Sequence, residues 1–343
     1  MRVTNLERGN DLFGKYSYPE VNEIRERQQK VPWTDGEIPV EDDKQDYLIT
    51  MSPEQLFLAK TTLQSFVKIE QSVGDIWHTI GTWFPHPEID GACAVITAME
   101  KGVHAFFYQK MSDVLLIEPE ETDRIQKEYG PIKDKLDYMG RIFKNAEDVN
   151  ISQYDKALTL AAVSYVEQVL LFGNFAMLKS FKANGNNLIG NTLFGVDYVI
   201  ADEQLHGDLS TFLFKTYMDE LDFGNDIKSV LYEEISEMLY GIVEHEVSVI
   251  ELVYKDVNII NGVTKEELTN FVKHRANMTT ASLGIDADLY KIDSNPIADW
   301  FYANINSVKT HDFFAPGGTT DYRKDWSEPK FSALKHLKDY NDK

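Results

Sequence analysis

An almost wholly apolar stretch, KALTLAAVSYVEQVLLFGNFAML at 156–178, contains one acidic residue, Glu167, near its middle. The run is long enough to cross a membrane, but Glu167, Gln168 and Asn174 interrupt it and no second such segment accompanies it. We therefore predict a helix buried in a protein core. A carboxylate in such an interior is costly unless it is neutral, paired or bound to a metal ion. The fold must therefore stabilise the Glu167 carboxyl group.

Helices are predicted for most of the chain. Gly and Pro are sparse between about 52 and 285, and apolar residues recur there every three or four positions. From about 311 onward Gly, Pro and charged residues accumulate, as is typical of mobile chain ends. The interpretation is an all-α fold with an N-terminal arm at 1–50, a helical domain at 51–310 and a flexible C-terminal tail at 311–343.

Composition narrows the classes of partner. Hydrophobic residues make up 43% of the chain, enough for a packed core. The formal net charge of −22 makes nucleic acid and anionic membrane surfaces unfavourable partners.

The single cysteine, Cys93, cannot form a disulfide within the chain, and its apolar surroundings favour a buried thiol. The N-terminal sequence MRVTNLERGND has no signal-peptide core, so a cytoplasmic location is expected.

The anomaly at Glu167 recurs elsewhere. Glu100 ends the nearly uncharged GACAVITAME and is followed by His104, and Glu70 lies in LQSFVKIEQSVGDIW. In ADEQLH at 201–206, a Glu and a His are three residues apart. Each half of the chain therefore has a helix with one Glu, followed by a helix with a Glu and His pair.

This repeated order is what a dinuclear carboxylate site in a four-helix bundle requires. Residues three or four apart face the same side of a helix, so each pair can reach one metal ion. Oxygen-rich ligands with one imidazole per metal suit iron or manganese, and the lack of cysteine ligands disfavours structural zinc. The six candidate ligands are Glu70, Glu100, His104, Glu167, Glu203 and His206.

The sequence resembles the small, radical-generating subunit of class I ribonucleotide reductase over about residues 30–310. The resemblance rests on four segments: PEIDGACAVITAMEKGVHAFFY (87–108), YVEQVLLFGNFAML (165–178), VIADEQLH (199–206) and MTTASLGIDADLYKIDSNPIADW (278–300). It implies a ferritin-like helical bundle whose dimetal centre reacts with dioxygen and oxidises a nearby tyrosine. The radical would then pass to a catalytic large subunit that reduces ribonucleotides to deoxyribonucleotides.

The resemblance also implies roles for individual residues. Glu70, Glu100 and His104 would bind one metal ion, and Glu167, Glu203 and His206 the other. Glu70 is a variant, because many members of the family have Asp there. Iron is expected, with manganese or a mixed pair left open.

Four further residues receive roles from the same resemblance. Tyr108 would carry the radical. Trp33 and Asp202 would begin its transfer to the large subunit, and a tail tyrosine, Tyr340 or Tyr322, would continue it. The last residues of the tail would dock on the large subunit, and the small subunit would form a homodimer.

One departure from the family pattern concerns the spacing of Glu100 and His104, which is one residue longer than Glu-x-x-His. Either the pair still faces one way with a small shift in geometry, or Gly102 marks a π-bulge, which is frequent at functional sites. The alternative functions are another ferritin-like dimetal oxidase and an iron-binding or storage bundle. A third alternative is a purely structural helical bundle that binds no metal.

Overall fold

The structure is a computed structural model of the 343-residue chain. It describes residues 2–10, 15–30, 32–285 and 289–302. Met1–Phe301 form one compact unit. The predicted tail at 311–343, with Tyr322 and Tyr340, lies outside the described residues.

Helices dominate the described part of the chain, which confirms the all-α prediction. The α-helices are α1 (Asn5–Arg8), α2 (Pro19–Lys30), α3 (Pro53–Trp83), α4 (Pro87–Met99), α5 (Ala105–Val114), α6 (Pro119–Glu128), α7 (Gly130–Ile142), α8 (Gln153–Tyr165), α9 (Leu171–Lys179), α10 (Gly190–Glu220), α11 (Asn225–Val253) and α12 (Lys265–Ser282). A short antiparallel hairpin pairs β1 (Ile259–Ile260) with β2 (Val263–Thr264).

Shorter helical segments connect or interrupt these elements. Three are 3₁₀ turns: Asp35–Glu37, Val40–Asp43 and Ser180–Lys182. Three are π-helical turns: Asp46–Thr50, Glu100–His104 and Val166–Leu170. The last two join α4 to α5 and α8 to α9, so each pair of helices runs on through a single wide turn.

The ends of α3 show how local sequence sets the helix boundaries. The Ser52 hydroxyl accepts a hydrogen bond from the Gln55 backbone N–H, and Pro53 occupies the first helical position, where its missing N–H costs nothing. The helix ends at Trp83, just before the Phe84-Pro85 dipeptide, because a residue preceding proline is disfavoured in the helical region.

The apolar run around Glu167 lies in the core. Gln153–Lys182 is long and apolar enough to cross a membrane, yet its most apolar window of 18 residues is completely buried inside the protein. The prediction of a buried core helix is therefore confirmed. Cys93 is buried as well, as its apolar surroundings indicated.

Four long helical units, called rods below, form the core of the bundle: α3, α10, α4–α5 and α8–α9. Helix α3 packs against α4, α5 and α9, while α10 packs against α8 and α9. The two rods with π-helical turns, α4–α5 and α8–α9, therefore lie in the same core as the two uninterrupted helices α3 and α10. Charged residues at the centre of this arrangement are removed from water.

Candidate metal centre

Each of the four rods contributes carboxylate or imidazole groups to one buried cluster. Helix α3 provides one Glu, the π-helical turn after α4 a Glu and a His, the turn after α8 a Glu, and α10 a Glu and a His. All six side chains are completely buried. They are the six predicted from the sequence: Glu70, Glu100, His104, Glu167, Glu203 and His206.

The six residues form two overlapping groups, each able to hold one metal ion. The first contains Glu70 and His104, and the second contains Glu167 and His206. Both groups also include Glu100 and Glu203. All six predicted ligands belong to these two groups, and the geometry adds that Glu100 and Glu203 are common to both.

The inner nitrogen of His104 lies among three carboxylates. Its Nδ1 is 3.1 Å from Glu203 Oε1, 3.5 Å from Glu70 Oε2 and 3.6 Å from Glu100 Oε2. Each oxygen comes from a different helical rod. The ligand atoms of a bound metal ion converge on one point in the same way.

His206 presents the same arrangement on the opposite side of the cluster. Its Nδ1 is 2.6 Å from Glu203 Oε2, 2.7 Å from Glu100 Oε1 and 3.9 Å from Glu167 Oε1. The two imidazole rings face each other with centroids 6.1 Å apart. The shared carboxylates thus present one oxygen to each histidine.

Unpaired polar atoms test whether this cluster suits metal ions. Both carboxylate oxygens of Glu70, Glu100 and Glu203 and the Nδ1 atoms of both histidines are buried without a hydrogen bond of acceptable geometry among the described residues. Unsatisfied buried groups of this kind are costly in a folded protein. Two divalent cations would balance four carboxylates and coordinate these atoms, so the residues present fit a dimetal centre.

The pKa values reflect the same crowding of negative charge. Burial, together with the charges of Glu100 and Glu203, raises the pKa of Glu70 and of Glu167 well above the usual range. Burial alone would lower the pKa of both histidines, but the surrounding carboxylates raise it well above 6.5. Without cations, the cluster would therefore hold protons in their place.

The π-helical turn Glu100–His104 explains the unusual spacing of the first pair. The backbone N–H of Ala105 donates to the carbonyl of Glu100, five residues earlier, which is the π-helical pattern. The wider turn brings residues four apart onto one face. Of the two accounts of this spacing, the structure shows the π-bulge.

A second π-helical turn, Val166–Leu170, carries Glu167 and had no counterpart in the prediction. Arg275 Nε on α12 donates a 2.7 Å hydrogen bond to the backbone carbonyl of Gln168 in this turn. The Arg275 guanidinium also lies 3.8 Å from the centre of the Phe172 ring. Nothing in the local sequence signals this contact, since the two partners are 107 positions apart.

Trp77 is a further residue that sequence reasoning missed. Its Nε1–H donates a 2.6 Å hydrogen bond to Glu167 Oε1. A signal was present, because Trp77 stands seven residues after Glu70 and so occupies the same face of α3 two turns later. The indole fixes Oε1 of Glu167, whereas Oε2 is buried without a hydrogen-bond partner among the described residues.

Trp33 and Asp202 meet at the outer side of His104. Asp202 Oδ2 accepts a 3.1 Å hydrogen bond from His104 Nε2 and a 2.8 Å one from Trp33 Nε1. Its other oxygen accepts from Gln28 Nε2 at 2.6 Å. The structure therefore brings together Trp33, Asp202 and His104, which the resemblance linked, and adds Gln28 from α2. Tyr340, the fourth predicted residue outside the cluster, lies beyond the described part of the chain.

Tyr108 is completely buried one helical turn after His104. Phe66 stacks on its ring with centroids 4.5 Å apart, and Phe175 stacks on Phe66 at 5.0 Å. The Tyr108 hydroxyl makes no hydrogen bond within the described residues. Burial and the nearby charge of Glu70 raise its pKa well above 10, so Tyr108 is a neutral phenol in an apolar pocket.

Comparison with known proteins places these observations in a family. The family model described as ribonucleotide reductase, small chain, matches residues 12–296. A protein of Invertebrate iridescent virus 6 named "Probable ribonucleoside-diphosphate reductase small subunit" is 25% identical, over 94% of this chain and 98% of its own length.

Two solved structures share the fold. The ribonucleotide reductase R2 subunit from Clostridium botulinum superposes with a TM-score of 0.73 at 18% identity, covering 84% of this chain and 89% of the other. The dimanganese(II) NrdF of Streptococcus sanguinis gives a TM-score of 0.70 at 21% identity, covering 84% and 98%. The ferritin-like helical bundle expected from the sequence is thus confirmed. With a family model covering most of its length and a buried carboxylate and histidine cluster in the matching fold, the chain belongs to the ribonucleotide reductase small chain family.

Proposed function

We propose that this small subunit forms a tyrosyl radical at Tyr108 and passes it to a catalytic large subunit, which reduces ribonucleotides to deoxyribonucleotides. The observation that carries the proposal is the pair of buried ligand groups sharing Glu100 and Glu203. A storage bundle needs neither a buried, unpaired tyrosine next to the cluster nor the hydrogen bonds linking His104 through Asp202 to Trp33.

The six cluster residues would hold two metal ions. Glu70, Glu100 and His104 would bind one ion, and Glu167, Glu203 and His206 the other, with Glu100 and Glu203 reaching both. The bound metals would supply, with dioxygen, the oxidising equivalent that the protein stores. Iron is the proposed metal. Manganese or a mixed pair is the alternative, because this ligand set suits both and the S. sanguinis relative is described as dimanganese(II).

Tyr108 would store the oxidising equivalent that the bound metals supply, by losing one electron and its hydroxyl proton. Its side chain is kept from water by Phe66 and the surrounding core. No described group donates to or accepts from its hydroxyl, so none of them holds the phenolic proton in place.

Transfer out of the bundle would begin at Trp33. The indole N–H and the outer nitrogen of His104 both donate to Asp202, so one carboxylate joins the cluster to the N-terminal arm. Asp202 would orient the imidazole and hold a proton during transfer. Tyr340 is proposed to carry the oxidising equivalent from the tail to the large subunit.

The wider organisation follows the same proposal. Residues 1–50 would be an arm, 51–310 the metal-binding domain and 311–343 the tail that docks on the large subunit. The small subunit would act as a cytoplasmic homodimer without nucleic-acid or membrane partners, in keeping with its charge of −22.

The test is metal loading followed by electron paramagnetic resonance. The metal-free protein is given Fe(II), or in parallel Mn(II), exposed to oxygen and analysed for metal content. We expect two metal ions per chain and a tyrosyl signal, which disappears in Tyr108→Phe while the metal content is unchanged.

Tyr165→Phe is the matched control, because Tyr165 is equally buried but its hydroxyl is hydrogen-bonded to that of Thr280. Its radical signal should match that of the wild type. A signal that survives in Tyr108→Phe would move the radical to another residue. Two bound metals without any radical would favour a different oxidase.

A further inference from the structure

The Trp33 indole stacks on two rings. One is the His104 imidazole, at a centroid distance of 5.7 Å and an interplanar angle of 23°. The other is the Tyr198 phenol, at 5.7 Å and 20°. Trp33 is therefore in ring contact with a residue of the metal centre and with an oxidisable side chain.

Tyr198 belongs to a stripe of residues along α10. Phe194, Tyr198, Asp202 and His206 follow one another every four positions and so lie along one side of the helix. The stripe begins at the surface, where Phe194 is 51% exposed, and ends at the completely buried His206. Tyr198 is partly exposed and packs edge-on against Phe194 at 4.9 Å. The ring contacts thus run from the cluster to the protein surface.

Tyr198 differs chemically from the aromatic residues on either side of it. A phenol loses an electron readily when its O–H proton can leave, whereas the Phe194 ring has no such proton. Electron transfer between rings weakens steeply with separation, so a ring in stacking contact with Trp33 is favoured over more distant tyrosines. Among the described residues, Tyr198 is the tyrosine in ring contact with Trp33.

We propose that Tyr198 is a redox station that takes the oxidising equivalent from Trp33 and presents it at the surface. The proposal rests on the proposed function, because Trp33 must first receive the oxidising equivalent stored on Tyr108. In the step itself, one electron moves from Tyr198 to the oxidised Trp33 ring. The Tyr198 O–H bond breaks, and its proton passes to water or to another base at the partly exposed side chain. The indole returns to its neutral form with its N–H still donated to Asp202.

The electron exchange can be tested without metal or activity. Laser photoionisation of the metal-free, full-length chain ejects an electron from tryptophan, and transient absorption follows tryptophanyl and tyrosyl radicals. We expect a fast first-order phase that converts tryptophanyl into tyrosyl absorbance. This phase should be lost in Trp33→Phe and in Tyr198→Phe, and the double variant should lose nothing further.

Tyr165→Phe is again the control and should keep the fast phase, since no ring contact of Tyr165 with a tryptophan exists among the described residues. Phenylalanine keeps an aromatic ring at position 198, so far-ultraviolet circular dichroism and the unfolding temperature should not change. A fast phase that persists in Tyr198→Phe, or one that is missing from the wild type, would overturn the proposal.

The second arm uses the metal-loaded protein with its large subunit. Tyr198→Phe should keep its metal content and its Tyr108 radical but lose most nucleotide reduction, and Tyr198→Trp should restore it. If Tyr198→Phe supported full nucleotide reduction, the proposed role of Tyr198 would be overturned, whereas the proposed role of Tyr108 would be unaffected. If the metal-loaded wild type forms no Tyr108 radical, the proposed function fails instead. The photoionisation experiment still tests electron exchange between Trp33 and Tyr198 in that case, because it needs no metal.

Discussion

His104 and His206 face each other across the cluster, but their outer nitrogens meet different surroundings. His104 Nε2 donates to Asp202, which also accepts hydrogen bonds from Trp33 and Gln28. His206 Nε2 is buried and has no hydrogen-bond partner among the described residues. One side of the cluster is therefore connected by hydrogen bonds to Gln28 on α2 and to Trp33.

The other side is oriented through its carboxylate. Trp77 donates to Glu167, and Arg275 donates to the carbonyl of Gln168 in the same π-helical turn. A side chain at Gly207 would overlap Gln168, so α10 approaches this turn closely. The comparison indicates a division of labour. Under the proposed function, the His104 side would serve transfer out of the core, and the Glu167 side would hold metal rigidly.

Asp202→Asn should give the largest effect and should act on transfer alone. Three donors converge on the Asp202 carboxylate, whereas an amide offers one acceptor oxygen and adds an N–H group that faces donors. We expect nucleotide reduction with the large subunit to fall about 10–100-fold, the usual range for a group behind a ligand. Metal content and the Tyr108 radical should remain.

Asp208→Asn is the control for that variant, because Asp208 lies on the same helix and its recorded hydrogen bond is with Gln204. Its activity should be unchanged. An Asp202→Asn protein that loses metal and activity in equal measure would reduce Asp202 to a structural support of His104.

The two sides also differ in how far the sequence could predict them. Glu70, Glu100 and Glu167 could be identified as candidates because carboxylates in apolar helices are anomalous, and Glu203 because its pairing with His206 completes the repeated order. The lengthened Glu100–His104 spacing offered a π-helical turn as one of two readings. The arrangement of helices that brings these positions together was accessible through the family resemblance.

The support of Glu167 could not be predicted in the same way. The π-helical turn around it lies in ordinary apolar sequence. A fully apolar helix shows the same residue pattern with or without an inserted residue, so the sequence does not reveal the turn. Its partner Arg275 is distant along the chain, and that contact depends on tertiary packing. Trp77 was available from its spacing to Glu70, yet a tryptophan on a core face is usually only packing.

Trp77→Phe should have an intermediate effect, confined to metal binding. The variant removes the hydrogen bond to Glu167 and keeps an aromatic ring in place. Metal binding should weaken about tenfold, the lower end expected for a hydrogen bond to a charged group. Turnover per radical should not change, in contrast to Asp202→Asn.

The pH dependence of Trp77→Phe follows from the same hydrogen bond. Burial and nearby carboxylates raise the pKa of Glu167, and the Trp77 hydrogen bond opposes that rise. Without it the carboxyl group holds its proton more tightly, so protons compete better with metal. Metal titrations should show a larger defect at acidic than at neutral pH. A defect independent of pH would mean that Trp77 acts through packing.

Arg275→Lys and Gly102→Ala should give the smallest effects, one on each π-helical turn and of opposite sign. Lysine keeps the charge but not the guanidinium geometry, so the Gln168 carbonyl loses its 2.7 Å donor, and we expect thermal or urea unfolding to show destabilisation by about 1 kcal/mol.

Gly102 is exposed, and a Cβ there meets nothing within 4 Å. Alanine should therefore stabilise the protein by about 0.5–1 kcal/mol through reduced freedom of the unfolded chain. If alanine instead destabilised the protein, the first turn would require glycine, and both π-helical turns would depend on specific residues rather than only the turn that carries Glu167.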